Sequence, residues 1–115
     1  MTNRSRAYRI GLIVPSSNTT MEAELPAMFG RRRSVAGETV TFHSSRARLH
    51  EVTREELHRM VADGERCAAE VADANVDVIA YACLVALMSE GPGFHREAEK
   101  RLGAADFNMV IVEGA

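Results

Sequence analysis

Four short apolar runs punctuate the chain. Arg9-Ile10-Gly11-Leu12-Ile13-Val14 shows no alternation and is closed by Pro15, the pattern of a strand buried on both faces. Glu38 to Ser44 is β-rich with weak alternation and predicts a second strand. Val76 to Cys83 is the third run and Met109 to Val112 the fourth. Helical signals lie between them. Thr19 and Glu22 have capping-box spacing, so a helix is expected to begin after the turn Pro15-Ser16-Ser17-Asn18-Thr19-Thr20. Pro26 predicts an early end or a kink, with residues 30–37 as loop. Thr53-Arg54-Glu55-Glu56 is a second capping box. Behind it Leu57, Met60, Val61, Gly64, Cys67, Ala68 and Val71 recur at helical spacing, predicting one long amphipathic helix to about Ala74. Leu84 to Ser89 suits a short helix stopped by Gly91-Pro92-Gly93. Phe94 to Leu102 suits a charged surface helix turning Phe94, Ala98 and Leu102 inward.

Strands alternating with helices imply parallel pairing and right-handed crossovers. The expected fold is therefore α/β, a doubly wound parallel sheet of about four strands in a flavodoxin-like three-layer sandwich, one lobe over residues 1–115. Such folds usually cover the last strand with another helix. None follows Val112, so the lobe is expected to be cut short.

Composition narrows the function classes. The 115 residues are 46% hydrophobic and 26% charged, with a net charge of −2, so neither nucleic acid nor an anionic membrane is an expected partner. Arginines do cluster, at Arg4, Arg6 and Arg9 and again at Arg31-Arg32-Arg33, where a frayed terminus and a solvated loop are expected. No run reaches the ~20 apolar residues of a membrane span, and no signal segment opens the chain. A cytoplasmic location is expected, with Cys67 and Cys83 reduced. Cys67 falls on the apolar stripe of its helix and is expected to be a core thiol. His43, His50, His58 and His95 have no metal-ligand spacing. There is neither a Ser-centred nucleophile elbow nor a Gly-rich phosphate loop.

The candidate chemistry lies where two strands end together. In a sheet ordered 2-1-3-4 the loops after the first and third strands, 15–20 and 83–86, open into one crevice at the switch point. It would hold the Cys83 thiol, the Asn18 amide, the hydroxyls of Ser16, Ser17, Thr19 and Thr20, and free backbone N–H groups. That set suits a small carboxylate held beside a sulfur nucleophile. The competing reading, a buried strand-end cysteine next to a capped turn, stands beside it. Arg46 and Arg48 are candidates for guiding an anion inward, and solvated loop arginines are the simpler reading. His95 is read as a surface or helix-start residue.

Two long motifs carry a family resemblance. Residues 9–22, with Pro15-Ser16-Ser17-Asn18-Thr19-Thr20-Met21-Glu22, resemble the opening signature of the maleate cis-trans isomerases, in the aspartate/glutamate racemase superfamily with arylmalonate decarboxylases as relatives. The likeness continues through Ser45-Arg46-Ala47-Arg48-Leu49, Asp77-Val78-Ile79-Ala80-Tyr81-Ala82-Cys83-Leu84-Val85-Ala86-Leu87-Met88 and Gly91-Pro92-Gly93-Phe94-His95. The resemblance implies cofactor-independent conversion of maleate to fumarate through a succinyl-cysteine-like thioether. It implies Cys83 as nucleophile, with Asn18, Ser17 and the backbone N–H groups of Leu84 and Val85 holding the dicarboxylate. It also implies two similar halves with one cysteine each, of which this sequence matches the N-terminal one. From about Gly103 the match weakens: 103–108 is abbreviated and Glu113-Gly114-Ala115 replaces hydroxyl residues. Three outcomes stay open: the isomerase, a racemase or decarboxylase relative, and a non-catalytic lobe. A homodimer pairing two crevice mouths is a further expectation.

Overall fold

The four apolar runs form four parallel strands: β1 (Ala7–Pro15), β2 (Thr39–Ala47), β3 (Val78–Tyr81) and β4 (Met109–Ile111). They lie in the order β2-β1-β3-β4. The structure, a computed structural model, describes residues 6–103 and 109–111. Arg4, residues 104–108, Val112 and residues 113–115 lie outside the described residues, as do the side chains of Leu84, Leu87, His95 and Leu102. Five helices connect the strands: α1 (Thr20–Ala36), α2 (Arg54–Ala62), α3 (Gly64–Ala72), α4 (Leu84–Met88) and α5 (Phe94–Gly103).

Successive side chains of a strand face opposite sides of the sheet, and the core accordingly splits in two. Leu12, Val14, Ala80 and Ala82 turn to one face and pack with Met21 and Leu25 of α1. Ile13, Ile79, Tyr81 and Cys83 turn to the other, against Leu57, Met60, Cys67 and Val71 of α2 and α3 and Ala98 of α5. Helices therefore cover both faces, as a doubly wound sheet requires. Cys67 is fully buried in this second layer. Burial pushes its thiol up, against the opposing effects of the Ser45 hydroxyl and the Arg66 guanidinium.

Three local expectations are corrected. First, α1 does not stop near Pro26; it runs on to Ala36, so residues 30–36 are helical and the Arg31-Arg32-Arg33 cluster lies on a helix surface. Proline deprives α1 of one intrahelical bond, but tertiary contacts hold both sides of it. Phe29 stacks edge-on against Phe42 of β2 at 5.7 Å. Gly37 takes a left-handed conformation (φ 71°) and its N–H closes on the Arg33 carbonyl at 3.0 Å. Second, the Thr19/Glu22 capping box does not form. Asn18 Oδ1 accepts the Met21 N–H at 3.1 Å instead, and Glu22 pairs with Arg46. Third, the long helix to Ala74 is two helices broken at Asp63, which caps the end of α2 by donating its N–H to the Arg59 carbonyl and gives its carboxylate to Arg66 of α3. The second capping box is half made: Thr53 accepts the Glu56 N–H at 3.2 Å, while the Glu56 carboxylate accepts the N–H groups of His50 and Glu51.

Gly11 lies at the centre of β1, paired with His43 and Ile79. A Cβ there would stand 3.0 Å from the Val71 Cβ and 3.2 Å from a Val76 methyl. These neighbours belong to a helix and a strand entrance that cannot retreat independently. Gly11→Ala is expected to lower stability by about 1–3 kcal/mol, the usual cost of overpacking, read as a lower urea midpoint with an unchanged slope. An unchanged or raised midpoint would contradict this packing.

Candidate functional site

The ladder between β1 and β3 continues past β3: the Ala82 N–H donates to the Ile13 carbonyl at 2.8 Å. This carries Cys83 to the same sheet edge as Pro15. A cavity of about 290 Å³ opens there, lined by Pro15, Ser17, Asn18, Thr19, Thr20, Leu49, Val52, Leu57, Cys83 and Val85. The two loops expected to converge do converge, and Cys83, Asn18, Ser17 and Val85 share one wall system.

Cys83 occupies the position before α4, where a helix usually places Ser, Thr, Asp or Asn. Its sulfur fills that role by accepting the N–H groups of Ala86 and Val85. These two donors favour the thiolate. Burial opposes them and is larger: the thiol is 3% exposed and stands above the ordinary thiol range. No cationic side chain is among the residues described as lining the cavity. Cys83 is thus a mostly protonated thiol held by a small dipolar cradle. The resemblance assigns the N–H groups of Leu84 and Val85 to a carboxylate beside the sulfur; the sulfur itself is met by Val85 and Ala86, the second and third helical residues, as N-cap geometry prefers.

The loop after β1 is held from below. Asn18 donates its N–H to the Pro15 carbonyl at 3.0 Å and commits Oδ1 to Met21. That bond fixes the amide's orientation and leaves the two Nδ2 donors to offer the cavity. Ser17 Oγ donates to the Leu49 carbonyl at 2.7 Å, so its only proton is already used and it faces the cavity as an acceptor. Ser16 Oγ accepts the Leu49 N–H at 2.9 Å; Ser16 is outside the lining, whereas Thr19 and Thr20 are in it.

Arg46 is not a solvated loop arginine. β2 extends to Ala47, and the Arg46 guanidinium reaches Glu22 Oε1 at 2.6 Å, the Asn18 carbonyl at 2.5 Å and the Ser16 carbonyl at 3.3 Å. The Ser44 hydroxyl, with Arg46, holds the Glu22 carboxyl below the usual carboxylate range. Arg48 lies away from the thiol, beside Glu56, Arg59 and Asp63 in a second depression. His58 bridges to Glu90 through Nδ1 at 3.1 Å. Among the described residues, no group of three or more His, Cys, Asp or Glu could hold a metal ion, and no helix is long and apolar enough to cross a membrane. The apolar walls Leu49, Val52 and Leu57 and the Ala86 N–H escaped the sequence reading; the spacing behind the second capping box placed Leu57 in the core without aiming it at the cavity.

No family model matches the chain. It is 57% identical over 101 residues to a maleate isomerase of Pseudomonas putida and 55% identical over 101 residues to one of Geobacillus stearothermophilus, covering 88% and 87% of this chain. It spans about two fifths (40%) of the length of each. Among solved structures it is similar to a cysteine-to-alanine variant of the maleate isomerase Iso from Pseudomonas putida S16 with maleate. There the TM-score is 0.88 at 51% identity, over 92% of this chain and 45% of that one. It is also similar to a cysteine-to-serine variant of the Nocardia farcinica maleate cis-trans isomerase with a covalently bound succinylcysteine intermediate. That match has a TM-score of 0.82 at 44% identity, over 91% of this chain and 43% of the other.

A buried thiol without a neighbouring base or cation is expected to alkylate slowly at neutral pH. Because its folded pKa is raised, the rate at Cys83 should still climb above pH ~8.5, where an ordinary thiol begins to level off. Iodoacetamide labelling read by peptide mass spectrometry checks this. A plateau below that pH would contradict the balance of burial over N–H donation.

Proposed function

We propose, from this chain's homology to the maleate isomerases, that it is the half of a maleate cis-trans isomerase that carries the nucleophile, Cys83. The observation that carries the reading is the convergence of the Cys83 thiol, its two N–H donors and the Asn18 amide on one small cavity. Ser17, Val85 and the backbone at Leu84 complete the proposed dicarboxylate cradle.

The chemistry follows from those groups. The Cys83 thiol first gives its proton to solvent, and the thiolate so formed adds to one carbon of the cis double bond. The C–S bond forms, and the π pair moves to the neighbouring carbon, where the attached carboxylate takes it up. The former double bond is now single and rotates. The pair then re-forms the π bond and expels the sulfur, releasing the trans isomer. Protonation at the carbon bearing the pair gives a succinyl-cysteine, the species named in the Nocardia farcinica structure. Thiolate in and thiolate out balance without a cofactor. Free thiols, and hence a cytoplasmic setting, are what the reaction requires.

A second reading has its own support: a folded lobe that does not turn over. Cys67 is sealed in the core and is not among the residues described as lining the cavity. The apolar rim of the cavity offers a way for two copies to meet. Val52 is 74% exposed and Val85 49%, an arrangement suited to a twofold pairing of crevice mouths.

Maleate conversion followed by proton NMR separates the readings. Slow formation of fumarate is expected, falling at least about 10²-fold in Cys83→Ser. No conversion by a sample with a cooperative melt would remove the catalytic reading for this chain and leave the non-catalytic one. Light scattering tests the dimer: a mass near twice 12.6 kDa is expected, reverting to one copy in Val52→Asp, and a monomer at all concentrations would refute it.

A further inference from the structure

We propose that Arg46 is a positioning residue for the Cys83 site, acting through Asn18 rather than on the substrate. The proposal rests on the carboxylate-cradle reading given above. Arg46 is absent from the cavity lining. It stands opposite Val14 in the β1–β2 ladder, one residue before β2 ends. From there its guanidinium ties the loop after β1 at both sides of Ser17: Nε to the Ser16 carbonyl at 3.3 Å and Nη2 to the Asn18 carbonyl at 2.5 Å. Nη1 is anchored on Glu22 of α1 at 2.6 Å. Its own carbonyl accepts from Arg66 Nη2 at 3.0 Å, which joins the strand end to α3.

Three acceptors in three directions match the planar fork of a guanidinium and exceed what an ammonium group can span. The consequence is directional. With the Asn18 backbone held by Arg46 and Oδ1 held by Met21, the side chain is fixed at both ends and the Nδ2 donors have one orientation. Bonds to a bound carboxylate then form without first ordering the loop. Nothing else among the described contacts fixes the Asn18 carbonyl.

The test compares a charged and a neutral alkylating reagent at Cys83. Iodoacetate carries a carboxylate and iodoacetamide does not. The ratio of their rates at Cys83, divided by the same ratio for N-acetylcysteine, reports the cradle and not general access. In the unaltered chain this ratio is expected to exceed one, and to drop about tenfold in Asn18→Ala, the loss of one hydrogen bond to a charged group. Arg46→Lys and Arg46→Met should drop it by a similar factor, and adding either to Asn18→Ala should change it no further. A loop that is merely loosened speeds both reagents alike and leaves the ratio unmoved.

A retained ratio in Arg46→Lys and Arg46→Met, with the Asn18→Ala drop present, overturns the Arg46 proposal alone. A retained ratio in Arg46→Lys but not in Arg46→Met also overturns it, since positive charge without the fork would then suffice. A ratio of one in the unaltered chain overturns the cradle itself and the Arg46 role with it. Circular dichroism melts establish that each variant is folded. If Arg46→Met does not fold, Arg46→Lys and Glu22→Gln decide: Glu22→Gln weakens the anchor outside the cavity and should lower the ratio in part.

Discussion

The arrangement of this lobe depends on one backbone hydrogen bond, from the Ala82 N–H to the Ile13 carbonyl. It is the last rung between the two central strands, and it lies beyond the formal end of β3. Because β1 and β3 are buried on both faces, neither strand can slide without exposing a whole row of apolar side chains. Register is thereby fixed, and with it the height at which Cys83 leaves the sheet relative to Pro15. Everything proposed for the cavity follows from that alignment. The helix after Cys83 begins at once, so the N–H groups of Val85 and Ala86 in its first turn meet the sulfur.

A second layer of organisation keeps charge outside and dipoles inside. Glu22, Arg46, Asp63, Arg66, Glu56 and Glu70 form clamps at the periphery of the cavity and along its supports. The Arg46–Glu22 pair and Glu56 end on backbone groups of loops that border the site, at Ser16, Asn18, His50 and Glu51, while Arg66 ends on the Arg46 carbonyl near the end of β2. Exposed ion pairs of this kind add little to stability. Their value here is geometric, since short loops rich in small polar residues have no apolar contacts of their own to define them.

How far the sequence spoke for the structure varied by residue. Strand positions were legible because unbroken apolar runs have one economical use in an α/β lobe, and the topological switch point followed from the order of elements. The approximate place of Asn18 and Cys83 came with it. What was not legible was settled by tertiary contacts. Pro26 reads as a stop, yet Phe29 against Phe42 and the left-handed Gly37 hold the helix through it. The break at Asp63 is invisible to periodicity, because Leu57 and Met60 before it and Gly64, Cys67 and Val71 after it share one apolar stripe. Arg46 looked like a loop arginine because strand β2 runs three residues further than its β-rich segment. Its three acceptors come from two other elements, and no local pattern encodes them.

The cavity that results is neutral. Its described lining has hydroxyls, an amide, a thiol and apolar walls, with the Arg46 guanidinium turned to Glu22 and to two peptide carbonyls instead. A site of that make-up has no long reach. Screening by dissolved ions weakens attraction between separated charges over about 8–10 Å at ordinary ionic strength; here an anion would be gripped only once in contact, by oriented dipoles that salt scarcely affects. Recruitment of an anion from solution should therefore be slow to respond to ionic strength, and discrimination among anions should turn on the spacing of their oxygens rather than on their total charge. Such a pocket measures shape.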